Sequence, residues 1–369
     1  MRAFAMPLPE MRNRRVPGRA PRRTDNKVSH RVTSIILAAA LAAVACAPLS
    51  RTAALPDAPR AWPEPPAPAR IVYVRSFSRP QDLGITKGLF QRLGEFFVGR
   101  DDVRLVRPMA VVAWGDDLVF VADPGAKGVH RFDLAKGRHH LIRREGGAPL
   151  PSPVGLALGV HGEAYVTDSA LGQVFVIRPG AKAAAALALA ATLAQPTGIA
   201  LDPATGRLYV VDTANHEIKI FTPDGALHAT FGRRGTGDGE FNYPTMIWRD
   251  VGGRLFVADS LNFRTQMFDA AGRPLGKFGK LGDATGDLAR PKGVATDRFG
   301  HVYVVDSMFH ALQVFDTEGR LLLHIGSQGR APGEFWLPTG VYVGAQDKIY
   351  VADTHNRRVQ VFRYVGSEP

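Results

Sequence analysis

Beyond residue 70 the chain is a succession of short apolar runs separated by Gly, Pro, Asn and Asp. Some runs are apolar throughout, as in Gly198-Ile-Ala-Leu201, which suits a strand buried on both faces. Others alternate, as where Ile218 and Ile220 flank Lys219, which suits a half-exposed strand. The runs recur with a fixed period. Pro196-Thr-Gly-Ile-Ala-Leu-Asp202 followed by Gly206-Arg-Leu-Tyr-Val-Val-Asp212 returns as Pro291-Lys-Gly-Val-Ala-Thr-Asp297 followed by Gly300-His-Val-Tyr-Val-Val-Asp306. Copies begin at Pro108, Pro153, Pro196, Pro244, Pro291 and Pro338, 43 to 48 residues apart. An aspartate follows each proline by fifteen or sixteen residues: Asp123, Asp168, Asp212, Asp259, Asp306 and Asp353. Each period holds three β-rich runs and a fourth such as Leu321-Leu-Leu-His-Ile-Gly326. Four antiparallel strands per period, repeated radially, describe the blades of a β-propeller. The expected fold is all-β, a six-bladed propeller. The sixth copy lacks a fourth run, and Ile71-Val-Tyr-Val-Arg-Ser-Phe77 supplies one from the other end, completing the last blade and covering an open edge.

Two segments depart from this pattern. Between Lys87 and Val98 the apolar residues fall at 89, 90, 93, 96 and 97, a helical spacing that predicts an insertion packed across the end of the propeller. The stretch from Ala183 to Ala194 is Ala and Leu apart from Thr192 and reads helical by propensity, but its position in the period predicts a fourth strand.

The residues ahead of the repeats change the meaning of the composition. The chain has 369 residues, a formal charge of +12 and one cysteine, Cys46, which excludes an intramolecular disulfide framework and cysteine-based metal clusters. Residues 1–31 carry nine Arg and Lys against Glu10 and Asp25, and the uncharged run Val32 to Ala45 follows. Fourteen residues are too few to span a bilayer, which takes about 20, so residues 1–45 read as a secretory signal. With Ala43-Val44-Ala45-Cys46 the run resembles a bacterial lipoprotein lipobox, with Ala43 where such motifs usually carry Leu. The resemblance implies cleavage before Cys46 and acylation of its thiol and new amino group, which makes a stable membrane anchor. Residues 46–69, with seven prolines, are expected to form a tether with no sheet of its own, leaving residues 70–364 to the propeller. Removal of residues 1–45 leaves +5 on 324 residues, which withdraws most of the case for nucleic acid as a partner.

The repeat resembles the NHL family, most closely at Asp353-Thr-His-Asn-Arg-Arg-Val-Gln-Val-Phe362 and at Phe231-Gly-Arg-Arg-Gly235 through Gly239-Glu-Phe241. The resemblance implies the propeller fold over residues 70–364 and leaves function open, because NHL propellers act as binding platforms and occasionally as enzymes. The copies serve as internal controls. The six aspartates, present throughout, belong to the blade and should accept backbone N–H groups of the turn that follows. The glycines at Gly155, Gly198, Gly293 and Gly340 mark tight packing or special backbone angles. What differs between copies is the candidate chemistry. Loops sharing one face carry Lys127, His216, Arg264, His310, His355, Arg357 and Arg358, and neighbouring loops add Arg233, Arg234, Lys280 and Arg330. The acids Asp238, Glu240, Asp283, Asp287 and Glu334 make the face mixed with a modest basic lean, either a solvated rim or a surface for a protein, peptide or glycan. On the innermost strand of the fourth copy, Trp248 and Arg249 replace small or apolar residues, and a channel arginine calls for a partner such as an anionic ligand.

Among NHL-like proteins, the peptidyl-hydroxyglycine amidating lyases hold a metal with three axial histidines, each four residues after a blade aspartate. His216 and His310 match that spacing, whereas Lys127 and Arg357 stand at the equivalent places of other copies. Two ligands without a third make a weak site for zinc or calcium. The expected protein is a non-enzymatic, lipid-anchored binding or scaffolding module in the bacterial cell envelope, needing no cofactor. The alternative is a metal-dependent lyase or hydrolase using His216 and His310.

Overall fold

The structure is a computed structural model that describes residues 60–85 and 103–366. The signal, Cys46, most of the tether and the helix expected at 87–98 lie outside the described residues. Among the described residues no helix is long and apolar enough to cross a membrane.

The fold is all-β and propeller-like. After β1 (Ala61–Trp62) and β2 (Ile71–Phe77), four-stranded modules follow the sequence period. The first is β3 (Ala110–Trp114), β4 (Leu118–Asp123), β5 (Gly128–Asp133) and β6 (Arg138–Arg144). The second is β7 (Pro153–Leu158), β8 (Ala164–Asp168), β9 (Gln173–Ile177) and β10 (Ala183–Ala186). The third is β11 (Pro196–Leu201), β12 (Leu208–Asp212), β13 (Glu217–Phe221) and β14 (Leu227–Phe231). The fourth is β15 (Pro244–Arg249), β16 (Leu255–Asp259), β17 (Arg264–Phe268) and β18 (Pro274–Phe278). The fifth is β19 (Pro291–Thr296), β20 (Val302–Asp306), β21 (Ala311–Phe315) and β22 (Leu321–Ile325). The sixth stretch holds β23 (Val341–Val343), β24 (Lys348–Asp353) and β25 (Arg358–Tyr364).

These strands form five sheets rather than six. The third, fourth and fifth modules are separate antiparallel meanders, but the first two are fused into one eight-stranded sheet. The cause is the alanine-rich stretch. Ala183 and Ala184 pair in parallel with Arg143 and Arg144 of β6, and only Ala185 and Ala186 pair with β9. The chain then leaves strand geometry, and the Ala190 N–H donates to the Gly225 carbonyl of the next module at 2.9 Å. Methyl side chains bury too little to hold a full fourth strand on its own module. In the last sheet the order is β1-β2-β25-β24-β23, with β2 antiparallel to β25 from Ile71↔Tyr364 to Phe77↔Val359. The stretch expected to be a tether without sheet therefore pairs at its end. Ala61 and Trp62 form β1 on the edge of β2, and the Trp62 ring meets Phe362 edge-on at 5.7 Å.

The first strands of the modules stand side by side in chain order, and β23 in turn neighbours β3. There the Thr339 hydroxyl donates to the Met109 carbonyl at 2.8 Å and the Tyr342 hydroxyl to the Ala113 carbonyl at 3.1 Å. The core lies between adjacent modules. Tyr209, Ile218, Phe241, Ile247 and Phe268, all buried, interdigitate between the third and fourth. Burying each such side chain contributes about 1.5–3 kcal/mol. Close approach explains the glycines that recur in register between copies: a Cβ on Gly198 would sit 2.6 Å from the backbone nitrogen of Ile247 on the neighbouring first strand. Their job is packing, since Gly155, Gly198, Gly293 and Gly340 all have negative or extended φ.

Candidate functional site

The repeated aspartates clasp more than the following turn. Asp123 accepts the N–H of Ala126 in that turn at 3.0 Å, and also those of Val106 and Arg107, ahead of its own module, at 2.7 and 2.9 Å. Asp306 does the same for Phe309 at 3.1 Å and for Ala289 and Arg290 at 2.7 and 2.9 Å. Each carboxylate thus joins the end of the second strand to the chain leading into the first, and no set of axial acids results.

The fourth residue after each aspartate occupies a left-handed turn position: Lys127, Gly172, His216, Phe263, His310 and Arg357 all have φ between 53 and 62°. Two of them are histidines with a structural task. The Tyr243 N–H donates to Nδ1 of His216 at 3.1 Å, and the Leu337 N–H donates to Nδ1 of His310 at 3.0 Å. Both donors precede a module's proline and are themselves left-handed. A neutral imidazole that accepts at Nδ1 carries its proton on Nε2, so neither ring offers a free lone pair to a metal without giving up its backbone bond. Among the described residues, no three His, Cys, Asp or Glu side chains are grouped as metal ligands. The residues present do not fit the three-histidine metal centre that the amidating-lyase resemblance implies.

Arg264 is also committed. Its Nε donates to Asp259 at 2.8 Å and its terminal nitrogens to the carbonyls of Thr236, Gly237 and Glu240 at 2.8 to 2.9 Å, all in a buried setting. This side chain is an internal strut.

Trp248 and Arg249 do line a cavity. It has a volume of about 150 Å³, lies between the first strands, and is walled mainly by aliphatic side chains such as Val112, Leu156 and Ile199. Trp248 spans it, donating from Nε1 to the Thr296 hydroxyl at 2.9 Å and meeting Tyr342 edge-on at 5.6 Å. The partner that Arg249 calls for is supplied by the chain itself, at 3.0 Å from Asp202 of the preceding module. Burial acts to raise the Asp202 pKa, but hydrogen bonds from Thr205 and Ala204 and the charge of Arg249 hold it below the ordinary carboxylate value. Past Arg249 the cavity meets a groove of about 520 Å³ in which Arg298 forms a two-point pair with Asp347 at 3.0 and 3.2 Å.

His355 and Arg357 come together at the opposite end of the first strands, in a pocket of about 760 Å³ that Arg107, Arg330 and Trp336 also line. Its walls are fixed from behind. The Trp336 N–H donates to Asp353 at 2.8 Å and the His355 N–H to the Trp336 carbonyl at 3.1 Å. Arg358 is tied to Asp353 at 2.7 Å and to three loop carbonyls. Arg107, Arg330, His355 and Arg357, by contrast, are exposed, and no acidic side chain lines the pocket among the described residues. Trp336 stands 5.5 Å from the His355 ring, with the Arg330 guanidinium 5.8 Å from its own. Sequence reading missed Arg107 and Trp336. The signal was present: Trp336 occupies the register of Asn242 two copies earlier.

Comparison with known families places this arrangement. The family model of the teneurin NHL domain matches residues 144–335, more than half of the chain, and the NHL repeat matches residues 335–362. The chain belongs to the NHL family. A mouse (Mus musculus) relative, peptidyl-glycine alpha-amidating monooxygenase, is 29% identical over 146 residues, covering 36% of this chain and 14% of the relative. Among solved structures, an auxiliary nutrient binding protein from Bacteroides thetaiotaomicron superposes with a TM-score of 0.57 at 12% identity, covering 72% of this chain and 71% of that one. A gluconolactonase from Xanthomonas campestris superposes at 0.54 and 15% identity, covering 72% and 91%. At such identities the structures establish a shared fold, and the chain spans only a small part of the curated relative.

Proposed function

We propose that the chain is a six-bladed NHL propeller, its first two blades fused through β10 and its last completed by β2, working as a non-enzymatic binding module. In this reading it is held in the bacterial cell envelope by lipid on Cys46, and its loop-end pocket takes a protein, peptide or glycan. One observation carries the binding role: the pocket of His355 and Arg357 has a wall tied to Asp353 from behind, and a cationic lining with no acidic side chain in it among the described residues. Preorganised walls with free charged side chains favour recognition over structural use. The nutrient-binding neighbour supports the same reading.

The alternative, a metal-dependent lyase or hydrolase, draws support from the amidating monooxygenase relative and the gluconolactonase neighbour. The bonds at Nδ1 of His216 and His310 weigh against it. Metal analysis of the purified chain separates the two: stoichiometric zinc or calcium that disappears on His216→Ala would sink the non-enzymatic reading. For the anchor, Cys46→Ser should move the protein from the membrane to a soluble extracytoplasmic fraction. Unchanged fractionation would remove the lipid from the account.

A further inference from the structure

The loop-end pocket can be assigned a ligand chemistry from what lines it and from what is already spent. Three guanidinium groups, on Arg107, Arg330 and Arg357, face solvent beside the His355 imidazole, with no carboxylate in the lining among the described residues. Such a cluster repels itself until an anion arrives, and guanidinium forks match planar carboxylates in two-point fashion. The charges do not stand alone. The half-buried indole of Trp336 is set among them by its backbone bond to Asp353, and an aromatic face offers apolar contact to a flat partner.

Much of the main-chain N–H supply along the wall is already spent. The N–H groups of Val106 and Arg107 go to Asp123, that of Trp336 to Asp353, that of Leu337 to His310, and those of His355 and Arg357 to the carbonyls of Trp336 and Thr354. An extended peptide, which takes much of its affinity from main-chain pairing, would find few of these donors to pair with. A ligand that carries its own carboxylates on a stiff, ring-based frame suits such a wall better.

We propose that this pocket binds an oligosaccharide of uronate units, with carboxylates on Arg107, Arg330 and Arg357 and one sugar ring against Trp336. The proposal rests on the binding-module reading and narrows it to acidic glycans.

The test is calorimetric titration of the purified full-length chain with tetragalacturonate, set beside neutral maltotetraose, a hexaglutamate peptide and inorganic phosphate. Saturable binding is expected for tetragalacturonate alone, weakening as salt is raised. Arg107→Gln, Arg357→Gln and Trp336→Ala should each weaken it about tenfold, as loss of a charge-assisted or stacking contact does. The Arg107 and Arg357 side chains are exposed, so these two variants should keep the parent's melting transition, and Trp336→Ala is read only where its melting transition shows it folded. Arg233→Gln, at the equivalent face of another junction, should leave binding untouched. The proposal is overturned if tetragalacturonate fails to bind at millimolar concentration, if the three variants bind like the parent, or if hexaglutamate or phosphate binds as well. A photo-crosslinker at position 355 in intact cells keeps the two readings apart. Capture of a peptide or protein with tetragalacturonate silent defeats the uronate assignment and leaves the binding module standing, whereas silence in both arms defeats both.

Discussion

The loop from β14 into β15 and the loop from β22 into β23 are built alike and surfaced differently. In the first, Arg264 holds Asp259 at 2.8 Å and Gln266 reaches the Glu240 carbonyl at 2.7 Å. In the second, Arg358 holds Asp353 at 2.7 Å and Gln360 reaches the Glu334 carbonyl at 2.6 Å. Asn262 and Asn356 donate to the carbonyls of Gly235 and Gly329 at 2.8 and 2.7 Å. His216 and His310 each receive the N–H before the next proline. On the outside the likeness stops. Thr236, Asp238 and Asn242 of the first loop stand where Arg330, Pro332 and Trp336 stand in the second, and Phe263 in the turn from β16 to β17 stands where Arg357 does in the turn from β24 to β25. One junction keeps its acids and pairs Arg233 with Glu240 at 2.8 Å, while the other sheds an acid and gathers arginines. An identical frame means the surface change was free to serve something other than folding.

The largest test is on the frame. Arg264→Met and Arg358→Met each remove the charged partner of a buried aspartate that keeps only neutral donors, and loss of one partner of a buried pair costs up to about 3–5 kcal/mol. Denaturant titration should show nearly equal losses, and a gap of more than about 2 kcal/mol would mean the two frames are not equivalent.

A smaller difference should appear at the matched glycines. Gly239 and Gly333 both have positive φ, near 73 and 80°, so alanine strains either by about 1–3 kcal/mol. At Gly333 the new methyl would also strike the Trp62 ring, whereas at Gly239 the nearest atom, Cγ of Pro274, is 3.2 Å away. Gly333→Ala should therefore melt lower than Gly239→Ala, and equal melting would deny Trp62 its place against the second loop.

Acid should loosen the second junction. Burial holds the His310 pKa below its ordinary value of 6.5, against the pull of Asp353 and Asp306. His139 is lowered to about 3 by burial and by the charges of His130 and His140. A lowered folded pKa means that the unfolded chain binds the proton more readily. The stability these rings contribute is full above pH 6.5 and is lost as pH falls through the folded values. Protonation of Nδ1 in His310 also ends its bond from Leu337. Thermal scans from pH 8 to 5 should show a falling melting temperature that His310→Asn reduces, and an NMR midpoint for His310 at or above 6.5 would contradict this.

The smallest effect is expected at the surface. Arg233 is 80% exposed in its pair with Glu240, so Arg233→Ala should change stability by about 0–1 kcal/mol. Arg330→Ala should be equally quiet in stability but visible in anion binding, which is the contrast between the two loops in its plainest form.

Much of this was legible in residue order. Proline and aspartate spacing marked the modules, alternation marked the strands, and the extra run at Ile71–Phe77 pointed to its partner β25. The alanine-rich stretch was legible only as a strand, because parallel pairing with β6 depends on which neighbour lies beside it. Trp62 sat in a proline-rich segment that gave no sign of pairing, and its ring found Phe362 across the whole length of the chain. The site divided the same way. His355 and Arg357 could be picked out as departures from the repeat, but Arg264, Arg249, His216 and His310 looked equally available until Asp259, Asp202 and two backbone N–H groups were seen to hold them.

By itself the sequence determined the modular β architecture and its period, because strand pairing within a module is local and the hydrophobic pattern repeats with it. Tertiary structure alone decided which charged groups are free. A side chain's partners lie 24 to 28 residues away in the loop behind Arg264 and Arg358, and about 230 to 250 away where Thr339 and Thr354 bond to the first module. Only closure of those distances separates an arginine that holds a loop from one that awaits a ligand.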